Sequence, residues 1–143
     1  MKYRIDILEN QEEDVVVSVK QRTELLDRIE SLLLESDKSI FGYSEYGVVK
    51  LNIEDVYCFF TEGSKVYVLS EEGKFQIRER IYRVENTFSG ELLRINQSCL
   101  VSVSKIKRFD ASISGALTVT LKNGYKDYIS RRQLKSVKER IGI

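Results

Sequence analysis

From Ile40 onward the chain is a succession of short β-prone runs broken by turn residues, and this texture limits what it can fold into more than any other feature. Runs at 39–43, 47–51, 56–60, 65–70 and 74–77 are separated by Glu45, Asn52-Ile53-Glu54-Asp55, Thr61-Glu62-Gly63-Ser64 and Glu71-Glu72-Gly73. Strands this short, joined by turns this tight, form antiparallel structure. Ile77, Ile81 and Val84, with Phe88, have the spacing of a short helix. Strand-like runs resume at 92–95, 99–103, 106–109, 116–121 and 125–129. The last two flank Lys122-Asn123-Gly124, where Asn-Gly tolerates the positive φ that a two-residue hairpin loop demands. A helix over 131–141 closes the sequence. Ser130 is its expected N-cap, Gln133 completes a Ser-x-x-Gln capping box, and Leu134, Val137 and Ile141 form its apolar face.

The first forty residues have a different pattern. Residues 2–8 alternate with period two, as a half-buried strand does, and Val15-Val16-Val17 with Val19 reads as a second strand after a polar turn at 10–13. Leu25, Leu26, Ile29, Leu32 and Leu33 fall on one face of a helix over 21–36, with Ser18 and Gln21 spaced as a capping box and a break at Ser36–Ser39. The expected fold is mainly β with flanking helices (α+β). A β-rich domain over 41–143 is preceded by a small β-β-α segment over 1–40, which could serve interaction or dimerisation.

Composition removes several chemistries. The 143 residues include no histidine, so no Ser-His-Asp triad, Cys-His dyad or His-ligated zinc can form within this chain. Cys58 and Cys99 each lie in an apolar stretch and are expected to be reduced and buried. Neither a metal nor a cofactor is implied, no Gly-rich phosphate loop stands out, and an enzyme is the least favoured class. No run of about eighteen apolar residues and no signal-peptide core is present, which gives a cytoplasmic expectation.

Charge is unevenly divided. Residues 1–75 hold 9 Lys and Arg against 16 Asp and Glu, net −7, whereas residues 76–143 hold 14 against 6, net +8. The basic half suits a polyanion. Within it, Ser130-Arg131-Arg132 opens the final helix, where two arginines oppose the helix dipole by about 0.3–1 kcal/mol each. Beside free backbone N–H groups they form a receptor for phosphate oxygens or a guanine edge; the plainer reading is two solvated arginines. Arg94, Asn96, Gln97 and Ser98 flank a turn between apolar runs, where amides can read adenine and Arg or Ser can hold phosphate, although turns favour such residues anyway. Lys105, Lys107, Arg108, Lys122 and Lys126 would give a strand face a positive field, or simply a solvated one.

Five ordered segments over roughly 100 residues resemble the LytTR domain, a β-rich module of bacterial response regulators. They are Glu54-Asp55-Val56-Tyr57-Cys58-Phe59, the run from Leu93 to Ser102, Ile106-Lys107-Arg108-Phe109, Leu121-Lys122-Asn123-Gly124 and Tyr128-Ile129-Ser130-Arg131-Arg132. The resemblance implies recognition of double-stranded DNA by loop residues in successive major grooves, without a recognition helix. Position by position it implies contacts from Asn96, Gln97, Ser98 and Arg132, with Arg131 beside it, and from the loop Thr61 to Lys65, notably Ser64 and Lys65. Arg94 and Lys107 complete the expected DNA-binding set. The sequence departs from the family where Asn96-Gln97 replaces a His-Arg pair and where Phe60 replaces an acidic strand end. Similar short proteins lack a receiver domain and are often paired with a small membrane protein that restrains them. The acidic half could dock such a partner or form a homodimer on DNA. The alternative to DNA binding is a protein-interaction module with an incidental basic face.

Overall fold

The computed structural model describes residues 3–10, 16–35 and 39–143. Helix α1 (Glu24–Glu35) precedes strands β1 (Ile40–Ser44), β2 (Gly47–Leu51), β3 (Val56–Glu62), β4 (Lys65–Ser70) and β5 (Gly73–Ile77). Helix α2 (Ile81–Thr87) follows, then β6 (Leu92–Asn96), β7 (Cys99–Ser102), β8 (Ile106–Ala111), β9 (Leu117–Leu121), β10 (Lys126–Ile129) and helix α3 (Arg131–Ile141). Every strand pairing among the described residues is antiparallel. Seven strands form one sheet in the order β2-β1-β5-β4-β3-β7-β6, and β10-β9-β8 form a second.

Two apolar cores make the layers. On one face of the large sheet, Val56, Phe59, Val68, Ile77, Leu92 and Leu100 pack with Val84 and Phe88 from α2 and its C-terminal end. On the other, Cys58, Leu93, Ile95, Cys99 and Val101 meet Val119, Leu121 and Ile129 of the small sheet and Val137 of α3. Covered on both faces, β7 is buried at all four positions, which explains why Cys99-Leu100-Val101 run together instead of alternating with polar residues. Gly42 is dictated by packing: a Cβ there would lie 2.6 Å from that of Phe75.

Bulges shape the strands that matter most. The register slips between Ile106 and Arg108, so Lys107 is the extra residue. Ile106 and Phe109, an odd spacing apart, can therefore both pack on the second core. A second slip between Arg94 and Asn96 turns consecutive Ile95 and Asn96 toward the small sheet.

The amino-terminal expectations need correction. Residues 3–8 and 16–19 lie in no strand, and Tyr3, Ile5, Ile7, Val16 and Val19 are exposed. A period-two pattern specifies which face a strand would bury but supplies no partner edge, and none among the described residues is offered to these positions. Val15, most of the expected turn at 10–13, and positions 36–38 of the expected break lie outside the described residues. Helix α1 starts later than expected because Thr23, not Ser18, caps it: Thr23 Oγ1 accepts the Leu26 N–H at 3.2 Å. The α3 cap falls at Ser130, but with no side-chain bond there the anticipated capping box is not made. At the β9–β10 turn only Gly124 has positive φ, 88°. The Gly124 N–H reaches Leu121 O at 2.9 Å, which makes a three-residue loop instead of the expected two-residue one.

Candidate nucleic-acid interface

The β6–β7 turn, Gln97-Ser98, is held from within by Asn96. Its Oδ1 accepts the Ser98 N–H at 2.8 Å, a local bond that lets a two-residue turn close without positive φ. Its Nδ2 donates to Tyr128 O at 2.9 Å and to Asp127 Oδ1 at 3.2 Å. Asn96 is 1% exposed. The expectation that its amide faces a base therefore gives way to a different role: it joins the turn to the end of β10. Sequence alone placed Asn96 in a turn, where amides are solvated; the bulge that turns it inward has no simple sequence signal.

Two backbone bonds complete the junction. Ser130 N–H donates to Ile95 O at 2.9 Å, fixing the start of α3 beside the turn, and Thr61 N–H donates to Ser98 O at 2.9 Å, fixing the end of β3 on its other side. One residue beyond Thr61, Glu62 pairs with Lys65 across the β3–β4 hairpin. Gly63 there has φ 62°, the positive value that primed two-residue turns require. Three segments are thus bonded into one edge of the molecule: the β3–β4 turn with Ser64 and Lys65, the β6–β7 turn with Gln97 and Ser98, and the α3 start with Arg131 and Arg132. All six of these residues are exposed.

Helix α3 is gripped along its length. Val137 is buried in the second core, and the Arg140 guanidinium donates to Ser89 O and Gly90 O at 3.2 and 2.6 Å. The first-turn arginines are consequently presented on a fixed axis, and they form no ion pair among the described residues. They stand at the positive end of the dipole, where helix stability favours acids.

Other expected cations are not available in the same way. Arg94 donates through Nε to Glu85 Oε2 at 2.6 Å and through one terminal nitrogen to Gln97 O at 2.9 Å; it braces the turn from inside instead of offering itself to a ligand. Lys105 bonds Glu71 Oε1 at 3.1 Å and lies 5.2 Å from the Tyr57 ring centre. Arg108 bonds Asp110 at 3.0 Å. Lys107 is exposed, but it sits beside Ile106, which pairs with Leu121, whereas the β10 end at Ile129 pairs with Leu117. It therefore lies at the opposite end of the small sheet from the α3 start.

Behind the interface, Phe60 stacks between Tyr67 and Tyr125, with centroid distances of 5.7 and 5.9 Å. The Tyr125 hydroxyl donates to Asp127 Oδ2 at 3.2 Å. Burial, then the Cys99 thiol and the Asp127 carboxylate, raise the Tyr125 phenol well above its ordinary value. Phe60 thus belongs to an aromatic column between the two sheets. Cys58 and Cys99 are buried free thiols, as expected.

The architecture defines a strand-built, loop-presenting domain. Among the described residues, the three α-helices are separated in the chain by strands, so no two consecutive described helices form a helix-turn-helix. The profile of the LytTr DNA-binding domain matches residues 46–142, and the chain belongs to that family. Over 74% of this chain and 99% of the other, the structure is similar to the LytTr DNA-binding domain of a methyl-accepting/DNA response regulator from Bacillus cereus, with a TM-score of 0.70 and 18% identity. Uncharacterised HTH-type transcriptional regulators of Staphylococcus aureus strains NCTC 8325 and COL are each 28% identical over 122 residues, spanning 82% of this chain and 83% of theirs. No described helix is long and apolar enough to cross a membrane, and no described group of three or more acidic, Cys or His residues could hold a metal.

Proposed function

We propose that this chain is a sequence-specific transcription regulator that reads double-stranded DNA in the major groove through three loops. Lys65 with Ser64, Gln97 with Ser98, and Arg131 with Arg132 make the contacts. The observation that carries the reading is the bonded junction around Asn96, which holds three exposed polar loops in fixed relation along one edge. Preorganised loops lose little conformational freedom on binding, so their contacts translate into affinity. The amide of Gln97 suits bidentate bonds to adenine and the arginines suit guanine or phosphate. The family, and staphylococcal relatives named as transcriptional regulators, support the regulatory part of the reading.

The test is selection of bound sequences from a random duplex pool, followed by titration at several salt concentrations. Arg132→Ala should weaken binding to the selected site by about 1–3 kcal/mol if it contacts a base. Each lost phosphate contact should lower the salt slope by about 0.9. Lys107→Ala, outside the junction, should leave sequence preference intact. Unchanged affinity on loss of both arginines would refute the proposal.

A further inference from the structure

The amino-terminal segment carries the strongest unused pattern in the molecule. Tyr3, Ile5 and Ile7 alternate with Arg4 and Asp6, yet these residues lie in no strand or helix. Tyr3 is 87% exposed, Ile5 77% and Ile7 92%. Such alternation is the pattern of a strand with one buried face, and among the described residues it has no edge to pair with.

The segment is also self-complementary. If two copies pair antiparallel about Ile5, Ile5 meets Ile5, Tyr3 meets Ile7, and Arg4 meets Asp6 in both directions. Tyr3, Ile5 and Ile7 then fall on one face and Arg4 and Asp6 on the other, with Leu8 at the end of the charged side. Arg4 and Asp6 already share a side of the segment, their side chains bonding at 2.8 Å. Directly opposed pairs of opposite charge stabilise antiparallel ladders and like charges destabilise them. A twofold pairing uses the same surface from each chain, which is the commonest route to a homodimer. A one-residue slip would bring Arg4 against Ile5 or Ile7, placing charge on the apolar face.

We propose that residues 3–8 are a dimerisation strand whose partner is the same segment of a second copy of this chain. Six residues a side fall short of the roughly 1,200 Å² that a stable interface buries. Val16, Val17, Val19, Leu25 and Leu32, also exposed, supply further apolar surface in the same amino-terminal region. The pairing lies outside the loop interface and does not depend on the DNA reading.

The experiment is sedimentation velocity of the full chain over a wide concentration range. The wild type should associate to a dimer. Arg4→Asp opposes Asp to Asp, and Asp6→Arg opposes Arg to Arg, so each should weaken association at least about tenfold. An equimolar mixture of the two variants should associate at least as well as the wild type, because each charge then meets its opposite only across the interface. Far-ultraviolet circular dichroism of both variants should match the wild type, since the segment is outside both cores. A monomeric wild type, unaffected single variants, or a mixture no better than its components would overturn the proposal. Each of these is separable from a failure to bind DNA, which is measured on the loops.

Discussion

Replacing Asn96 tests the junction more directly than replacing any exposed residue. Asn96→Ala removes three hydrogen bonds, to Ser98 N, Tyr128 O and Asp127 Oδ1, at 2.8, 2.9 and 3.2 Å. Each intramolecular bond contributes about 0.5–1.5 kcal/mol net, more where its partner is left unpaired away from water. Ser98 and Tyr128 are exposed at the surface, so water can partly replace the lost bonds. The total loss is therefore expected near 3 kcal/mol, a large share of the roughly 5–15 kcal/mol of an ordinary domain. Urea denaturation should show a lower midpoint with an unchanged m value. DNA affinity, measured where the variant is folded, should fall about tenfold, or about 1.4 kcal/mol, because the turn is no longer held against α3. The salt slope should not change, because no cation is removed. Asn96→Asp should be harsher than Ala at neutral pH. It sets a second carboxylate against Asp127 and exchanges a donor for an acceptor facing Tyr128 O. That carboxyl would be raised in the folded state, so the Asp variant should regain stability as pH falls toward about 4. A stability loss under about 1 kcal/mol with unaltered DNA affinity, or an Asp variant as stable as wild type, would refute this account of the junction.

Two more outcomes follow from side chains behind the interface. Arg94→Met should cost about 1–3 kcal/mol, since it leaves Glu85 without its cation and frees Gln97 O; it should weaken DNA binding without lowering the salt slope, and a reduced slope in salt titrations would show that Arg94 touches phosphate. Cys99 is raised above the ordinary thiol value by its hydrogen bond with Cys58 and then by burial, and Tyr125 is raised by burial first. Groups raised in the folded state stabilise it below their unfolded values, and that contribution fades at higher pH. Urea midpoints should therefore hold through neutrality and drop above about pH 9, where unfolded thiols and phenols ionise; a curve flat to about pH 11 would contradict this.

Much of the fold could be read in the residues because local chemistry and burial agree there. The alternations and turn residues from 40 onward announce short antiparallel strands, and the final helix begins and ends where Ser130 and Ile141 suggest. The charge division suited a polyanion, and the resemblance carried by five segments, Arg131-Arg132 among them, implied a DNA-binding module. Gln97, Ser98, Ser64, Lys65 and the two arginines are exposed on loops that backbone bonds hold along one edge. What sequence could not show is which polar side chains are already committed. Asn96 and Arg94 look as available as Gln97 in a linear reading, yet a bulge turns one inward and Glu85, nine positions away, engages the other. Lys107 likewise looks equivalent to its neighbours until strand register sends it to the far end of the small sheet. The amino-terminal alternation shows the converse, a local pattern that finds no strand partner among the described residues. Periodicity is a property of neighbouring residues, so it can be read directly. Availability depends on which distant donor, acceptor or strand edge the tertiary structure brings alongside, and only the folded chain decides that.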